Sequence, residues 1–232
     1  MSRRRPSTRE PITRDVLVRR TGLTFVIGSA LFALGVLLQL PPHWPAIIGG
    51  LSYAVGAVFF TTAGFMQIAL AVRDLSIDKR ARLPRGGWSG DLVAAVVQSF
   101  GTVLFNVNTI DYVLTLDSSA RVQDVAVWVP DTVGSIAFLV SSGISLVPAV
   151  RALRHQHVPD RSDWIAWINM AGSVLFGISA VASFTFADGD PVSLAWTNAG
   201  TFFGAVCFLV AAWLFGYPSH RSELTDTREV AE

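Results

Sequence analysis

The stretch AGSVLFGISA, residues 171–180, decides how this chain folds, because two near-copies of it occur earlier in the sequence. The copies are IGSALFALGV at residues 27–36 and FGTVLFNVNT at residues 100–109. Their glycines, Gly28, Gly101 and Gly172, lie 73 and 71 residues apart, and each is followed by Ser or Thr, any residue, Leu and Phe. A motif that returns at a nearly constant spacing indicates a chain built from repeated units.

A second motif lies between the copies of the first. It reads GAVFF, GSIAFL and GAVCFL, with Phe four residues after each glycine. Because the two motifs alternate along the chain, we interpret the sequence as three tandem copies of one helical hairpin. The glycine and phenylalanine positions of the two motifs are Gly28, Phe32, Gly56, Phe60, Gly101, Phe105, Gly134, Phe138, Gly172, Phe176, Gly204 and Phe208.

The spacing of these residues predicts a role in helix packing. Glycine four residues before phenylalanine places both on one face of a helix, with the ring beside the bare backbone of the glycine turn. In lipid, helix association brings no hydrophobic gain, so close approach at small residues holds helices together. Gly200 and Gly204 also form a strict GxxxG pair. We therefore predict that all twelve positions lie at helix contacts.

The composition is typical of a membrane protein. Of the 232 residues, 51% are hydrophobic and only 15% are charged, and the mean hydropathy is +0.48, which is too apolar for an ordinary soluble domain. Six windows contain no charged residue, and each is close to or above the roughly 20 residues that cross a hydrocarbon core. The windows are 22–40, 46–72, 92–110, 132–150, 164–187 and 191–220.

We therefore predict an all-α integral membrane protein with six transmembrane helices, arranged as three tandem helical hairpins with parallel pseudo-repeats. The hairpins would span 22–72, 91–150 and 164–216. Cytoplasmic segments would flank and separate them at 1–21, 73–90, 151–163 and 217–232. A signal peptide is the alternative for the first window, but its apolar run exceeds a typical h-region and no clear cleavage site follows before PPHWP.

The basic residues predict the orientation. Of the 18 Lys and Arg residues, all but Arg121 fall in the segments on one side of the predicted helices. Because short cytoplasmic loops are rich in Lys and Arg, both termini should lie in the cytoplasm and the chain in the plasma membrane. The N-terminal arginines should lie against anionic lipid headgroups, at about 1 kcal/mol per basic residue. Nucleic acid is not an expected partner.

Three stretches support a family resemblance. They are DLVAAVVQSFGTVLF and VGSIAFLVSSGISLVPAVR in the third and fourth predicted helices, and WINMAGSVLF in the fifth. These stretches resemble the YrhK-like domain, a bacterial membrane hairpin with Gly-Ser-x-x-Phe in both helices and a basic exit. The resemblance implies the hairpin architecture and carries no assigned activity. The first copy departs from the pattern, with Phe25 where the other copies have Gln98 and Asn169.

No pattern in the sequence indicates an enzyme. His155 and His157 have no Cys or carboxylate at metal-ligand spacing, and Cys207 has no histidine at membrane depth that would activate it. The six windows hold no Asp, Glu, Lys or Arg, which weighs against a proton- or sodium-driven carrier. We expect no catalytic residues, no metal and no cofactor.

Five polar residues near the predicted outer helix ends interrupt the repeat: Asn106, Asn108, Asp111, Asp131 and Asn198. Asn108 and Asp111 are three positions apart and share a helix face, whereas Asn106 lies about 200° around the helix from Asn108. We predict a small polar vestibule on the outer side, into which Asn108 and Asp111 point, with Asp131 within reach. The alternative is a helix end that frays into the lipid headgroups.

Two function classes remain open. The favoured one is a structural or interaction bundle in the bacterial plasma membrane, which binds a membrane-protein partner or a second copy of the chain. The absence of charge from the windows supports it. The alternative is a passive transporter or channel for a small solute, which would use the outer vestibule. Internal repeats favour this alternative, because many transporters are built from repeated units.

The charge distribution gives a testable topology. A reporter that is active only in the cytoplasm should work when it is fused after Arg85, Arg161 or Glu232, because these positions follow basic segments. The same reporter should be inactive when it is fused near residues 42, 119 or 189. Enzymatic assay of the fusions in intact cells measures this, and activity at any of the second set of sites would contradict the six-helix topology.

Overall fold

The computed structural model describes residues 13–80, 89–155, 158–186 and 191–217. Part of the predicted basic surface lies outside these residues, namely the arginines at positions 3, 4, 5 and 9, loop residues 81–88 and the tail from residue 218. Within the described ranges the chain is helical, and a single isolated β-bridge joins Thr185 to Pro191.

Six helices in the described ranges are long and apolar enough to cross a membrane, so this part of the fold prediction is confirmed. They are α1 (Arg14–Gln39), α2 (Ala46–Arg80), α3 (Gly90–Leu114), α4 (Ala120–Arg154), α5 (Arg161–Ala182) and α6 (Leu194–Gly216). The shortest, α5, has 22 residues. At 1.5 Å per residue it is about 33 Å long, which matches the thickness of a hydrocarbon core.

Polar side chains fix the starts of four helices. Hydroxyl oxygens accept hydrogen bonds from backbone N–H groups in the first turns of α1, α3 and α6, where the caps are Thr13, Ser89 and Ser193. At the start of α5, Asp160 and Asp163 form a reciprocal capping box. These contacts satisfy N–H groups that have no partner inside the helix, so the sequence defines where each helix begins.

Helix α4 begins well before the charge-free window that starts at residue 132. Its first turn leads into a π-helical turn over Asp124–Trp128, and the regular helix Val129–Arg154 follows with Pro130 in its first turn. As a result, Asp131 lies inside a continuous run of helical turns, eleven residues after Ala120.

The six helices form a closed ring. Each helix packs against its neighbours in sequence, and α1 also packs against α6. The ring closes where Gly22 of α1 meets Gly216 of α6, because a Cβ atom placed on Gly22 would lie 2.5 Å from the Gly216 Cα. The Arg161 guanidinium group also donates to the carbonyl groups of Leu214 and Tyr217, which ties the start of α5 to the end of α6.

Glycine pairs bring the helices close together within α1/α2, α3/α4 and α5/α6. A Cβ atom placed on Gly28, Gly101 or Gly172 would lie 3.0–3.2 Å from the carbonyl oxygen of a glycine on the other helix. Those partner glycines are Gly56, Gly134 and Gly204. Only a residue without a side chain lets two helix backbones approach so closely, so all six glycines lie at helix contacts.

Six phenylalanines fill the centre of the ring in two layers, and none is more than 6% exposed. In the first layer the ring centroids of Phe32, Phe105 and Phe176 are 5.7–6.2 Å apart. In the second layer the centroids of Phe60, Phe138 and Phe208 are 5.5–6.5 Å apart. Each ring of the first layer also contacts one of the second at 5.0–5.5 Å. These six residues form the phenylalanine plug.

The outer surface of the ring is apolar. Large side chains project away from the axis, and among them Val58, Phe65 and Phe203 are 56–57% exposed. Soluble monomers rarely expose large contiguous apolar patches, whereas the hydrocarbon core of a bilayer suits a helix bundle that is apolar on its outside. The outer surface is therefore compatible with a membrane protein.

Gly200→Ala should destabilise the ring. Its new Cβ atom would lie 2.6 Å from the Leu175 carbonyl oxygen and 2.9 Å from the Ser179 nitrogen, so the α5 backbone would have to move. We expect a loss of about 1–3 kcal/mol of stability, as in other overpacked sites. Thermal unfolding in detergent micelles measures the loss.

Gly143→Ala is the matched control, because its Cβ atom would meet nothing closer than the Met170 Cε at 3.8 Å. This change should be neutral or should stabilise the helix by up to about 1 kcal/mol. Equal melting temperatures for the two variants would show that the α5/α6 contact does not need glycine.

Candidate functional site

The ring has a basic end and an acidic end. At the basic end, where α1 begins and α2 ends, Arg14 is ion-paired with Asp74, and Nη2 lies 2.9 Å from Oδ2. The described arginines of this end are Arg14, Arg19, Arg20, Arg73, Arg80, Arg151, Arg154 and Arg161. The acidic end carries Asp111, Asp117, Asp124 and Asp131, and Arg121 is the one described Arg or Lys there.

At the acidic end the ring encloses a cavity of about 200 Å³, the acidic-end cavity. All six helices contribute to its wall, together with the segment after α5. The lining residues are Phe32, Gln39, Tyr53, Phe105, Asn108, Thr109, Tyr112, Gln123, Val127, Trp128, Asp131, Phe176, Ser179, Ser183, Thr185, Thr197, Asn198 and Thr201. The first layer of the phenylalanine plug therefore forms its floor, and polar side chains lie among aromatic ones in its wall.

Asp131 is the one charged residue among the lining residues. Its side chain is half-buried, and its carboxyl group lies within hydrogen-bonding reach of the buried Asn108 side chain on α3. Among the described residues, no Lys, Arg or His lines the cavity, and Asp131 has no ion-pair partner. An ionised Asp131 would therefore give the cavity a single negative charge that no protein cation balances.

Two tyrosines line the side formed by α1, α2 and α3. The Gln39 side-chain amide donates to the Tyr112 hydroxyl at 3.0 Å and so joins the ends of α1 and α3, which are not neighbours in the ring. The Tyr53 ring packs against Phe32, with 5.5 Å between centroids. It also occupies the space in which Gly35 would otherwise carry a Cβ atom. Glycine at position 35 thus makes room for a phenol ring in the wall.

Hydroxyl groups line the side formed by α5 and α6. The Ser179 hydroxyl lies 2.8 Å from the Thr197 carbonyl oxygen and 2.7 Å from the Thr201 hydroxyl oxygen. Asn198, between the two threonines in sequence, also lines the cavity. Since Thr201 is seven residues from the start of α6, this wall reaches about 10 Å into the ring.

The π-helical turn of α4 is held against the segment that follows α5. The Trp128 indole N–H donates to the Ala180 carbonyl at 2.8 Å, and its ring contacts Phe184 with 5.0 Å between centroids. The Thr185 N–H donates to the Asp124 carboxylate at 3.2 Å. These contacts place Trp128 and Thr185 in the cavity wall. Single π-helical turns often occur at functional sites.

The five residues predicted to form a vestibule separate into two groups. Asn108, Asp131 and Asn198 line the acidic-end cavity. Asn106 instead donates to the Ala57 carbonyl on α2 at 3.0 Å and contacts the Thr61 hydroxyl, so it joins two helices. Asp111 is half-buried and does not line the cavity, although it was expected to point inward with Asn108.

Several lining residues besides the predicted Asp131 were not expected, although their spacing from the motif glycines gives a signal that would have found them. Tyr53, Asp131 and Thr201 each stand three residues before the glycine of α2, α4 or α6. A second set of equivalent positions, eleven residues after the glycines of α1, α3 and α5, holds Gln39, Tyr112 and Ser183. All six residues line the cavity, so equivalent positions meet there despite their different chemistry.

A second cavity, of about 70 Å³, lies on the other side of the phenylalanine plug. Phe60 and Phe208 of the plug line it, together with three amide side chains, Gln67, Gln98 and Asn169. The Gln67 Oε1 atom is buried and has no hydrogen-bond partner. A cavity of this size holds about two water molecules, which would satisfy that oxygen. The plug therefore separates two cavities that both contain polar groups.

Within the described ranges, no three His, Cys, Asp or Glu side chains come together in a way that would hold a metal ion. Cys207 is half-buried on α6 and lines neither of these two cavities. Comparisons of this chain with protein-family models, with curated proteins and with solved structures find no match.

Trp128→Phe should loosen the wall of the acidic-end cavity. The change keeps an aromatic ring beside Phe184 but removes the indole N–H that donates to the Ala180 carbonyl. We expect a loss of about 0.5–1.5 kcal/mol, the net value of one such hydrogen bond, in thermal unfolding followed by near-UV circular dichroism. Trp196→Phe is the control, because Trp196 is 61% exposed. An equal effect of both changes would show that the indole hydrogen bond contributes nothing.

Proposed function

We propose that this chain is a multi-pass membrane protein that binds a small polar solute in the acidic-end cavity. The cavity itself carries this proposal. Polar groups at membrane depth are costly unless they are hydrogen-bonded, and a bundle that served only as a structural element would gain stability by filling this space with apolar side chains. A polar cavity retained inside a tightly packed ring is more readily explained by a ligand.

The volume of the cavity limits the size of the solute. Sites for drug-sized ligands measure roughly 300–1,000 Å³, whereas this cavity measures about 200 Å³. One water molecule accounts for about 30 Å³ of liquid volume. The cavity therefore suits a hydrated ion or an organic molecule with a handful of non-hydrogen atoms.

The orientation is part of the proposal. We infer that the basic end lies in the cytoplasm and that the acidic-end cavity lies toward the outer side of the plasma membrane, because basic residues concentrate on the cytoplasmic side of membrane proteins. Both termini would then be cytoplasmic. The N-terminal arginines would lie against anionic headgroups, and the apolar outer surface would contact lipid or a further membrane protein, including a second copy of the chain.

We also propose that the ring consists of three tandem hairpins with parallel pseudo-repeats, related by rotation about the membrane normal. The glycine pairs of α1/α2, α3/α4 and α5/α6 support this, since each makes an equivalent contact. The plug supports it too, since each pair of helices contributes one ring to each layer. The resemblance to the YrhK-like domain stays a prediction.

A structural or interaction bundle is the second candidate, and the phenylalanine plug favours it. Six rings in mutual contact close the axis between the two cavities. Hydrophobic constrictions of this kind exclude water and ions. Passive transport would therefore require the plug to move, whereas solute binding would not. No enzymatic activity is part of either candidate.

Cysteine labelling tests whether the cavity admits a solute. In a Cys207→Ala background, Thr201→Cys would place a thiol in the cavity wall, and Phe203→Cys would place one on the outer surface of the same helix. Iodoacetamide, a small neutral and polar reagent, should label the first at least about tenfold faster in lipid nanodiscs, because a thiol in lipid does not form the reactive thiolate. Mass spectrometry of timed samples gives both rates.

The two candidates predict different rates. A solute-binding cavity requires fast labelling at position 201 and slower labelling when a suitable solute is present. A closed structural bundle predicts that the cysteines at positions 201 and 203 react equally slowly. Ser119→Cys, at an exposed position before α4, gives the rate of a thiol in free contact with water.

A further inference from the structure

We propose that the solute of the acidic-end cavity is a small monovalent cation, either a metal ion or an organic ammonium or guanidinium group. This inference rests on the proposed function and specifies its ligand class. Among the described residues it rests on the carboxyl group of Asp131, which has no ion-pair partner, on a lining without basic side chains, and on the oxygen atoms and aromatic rings around Asp131.

Asp131 is the first group in the cavity that favours a cation. A carboxylate removed from bulk water either takes up a proton or is stabilised in its charged form by a cation or by several hydrogen bonds. Among the described residues, Asn108 is the side chain that lies within hydrogen-bonding reach of Asp131. Ionisable groups within membrane-spanning segments are rare and usually mark the path or site of a ligand. A bound cation of charge +1 would neutralise the cavity.

The polar side chains around Asp131 also favour a cation. Asn108 and Asn198 each carry a carbonyl oxygen, and hydroxyl oxygens such as those of Thr201 and Ser179 retain acceptor lone pairs while they donate elsewhere. Oxygen atoms of this kind replace part of the hydration shell of a cation. An ionised Asp131 would repel an anion, and no basic side chain among the described lining residues would attract one. The lining therefore disfavours anions.

The aromatic rings of the cavity favour an organic cation in particular. Tyr53 and Tyr112 line one side of the wall, Trp128 lines the part formed by α4, and the floor consists of phenylalanine. The negative face of an aromatic ring attracts ammonium and guanidinium groups, and the attraction grows when the site excludes water. One carboxylate in an aromatic wall therefore suits a small organic cation at least as well as a metal ion.

Guanidinium and urea make a matched pair of probes, because they are nearly the same size and shape and only guanidinium is charged. Each is added at a concentration well below that which denatures proteins, and ionic strength is held constant with N-methylglucamine hydrochloride, which is too large for the cavity. The rate of iodoacetamide labelling of the Thr201→Cys, Cys207→Ala chain in nanodiscs is the readout. Guanidinium near saturation should slow labelling about tenfold, and urea should leave it unchanged.

Asp131→Asn should abolish protection by guanidinium, because the amide keeps the shape of the carboxylate and removes its charge. Asp111→Asn is the control, since Asp111 lies at the same end of the ring and does not line the cavity. If the asparagine variant does not fold, Asp131→Thr replaces it, because the equivalent position on α6 carries Thr201. Each variant is compared with itself, with and without solute.

The outcomes test the charge of the ligand separately from the existence of the cavity. Equal protection by guanidinium and urea, or unchanged protection in Asp131→Asn, would overturn the cation inference and leave a site for neutral solutes. Absence of protection by both probes would also overturn it. The ratio of labelling rates at positions 201 and 203 is measured without any solute, so it tests the cavity independently of Asp131.

Discussion

The structure depends on helix backbones that approach one another at residues without side chains. In lipid the hydrophobic effect does not draw helices together, so van der Waals contact between closely fitted backbones takes its place. Glycine pairs such as Gly172 and Gly204 provide this contact in each of the three pairs α1/α2, α3/α4 and α5/α6. Gly22 and Gly216 provide it between the first and last helices, and this contact converts a row of helices into a ring.

A closed ring also determines what fills its centre. Phenylalanine four residues after each motif glycine lies on the same helix face, so the contacts that hold the helices together direct six rings toward the axis. One helical turn nearer the acidic end, the same faces of α3 and α5 carry Asn108 and Ser179 in place of large rings, three residues after Phe105 and Phe176. The polar cavity therefore begins where the plug ends.

Local sequence patterns account for the six apolar helices and for the glycine contacts, because both depend on residues a few positions apart. They did not give the start of α4, since Arg121 and Asp124 interrupt the apolar pattern over its first turns. Helical spacing shows which residues share a face of a helix, but it does not show which face points toward the centre of the ring. For this reason Asp111 was expected in the cavity and Asn106 was not placed against Ala57 of α2.

Differences between the three pairs of helices explain how the cavity holds one acidic side chain. Tyr53, Asp131 and Thr201 occupy equivalent positions in the cavity wall. Three identical aspartates in about 200 Å³ would repel one another and could not all remain ionised. One carboxylate beside a phenol and a hydroxyl avoids this repulsion and matches the charge of one monovalent cation. The motif glycines and phenylalanines are the same in all three pairs of helices, where they pack against one another, whereas Tyr53, Asp131 and Thr201 line the cavity and differ.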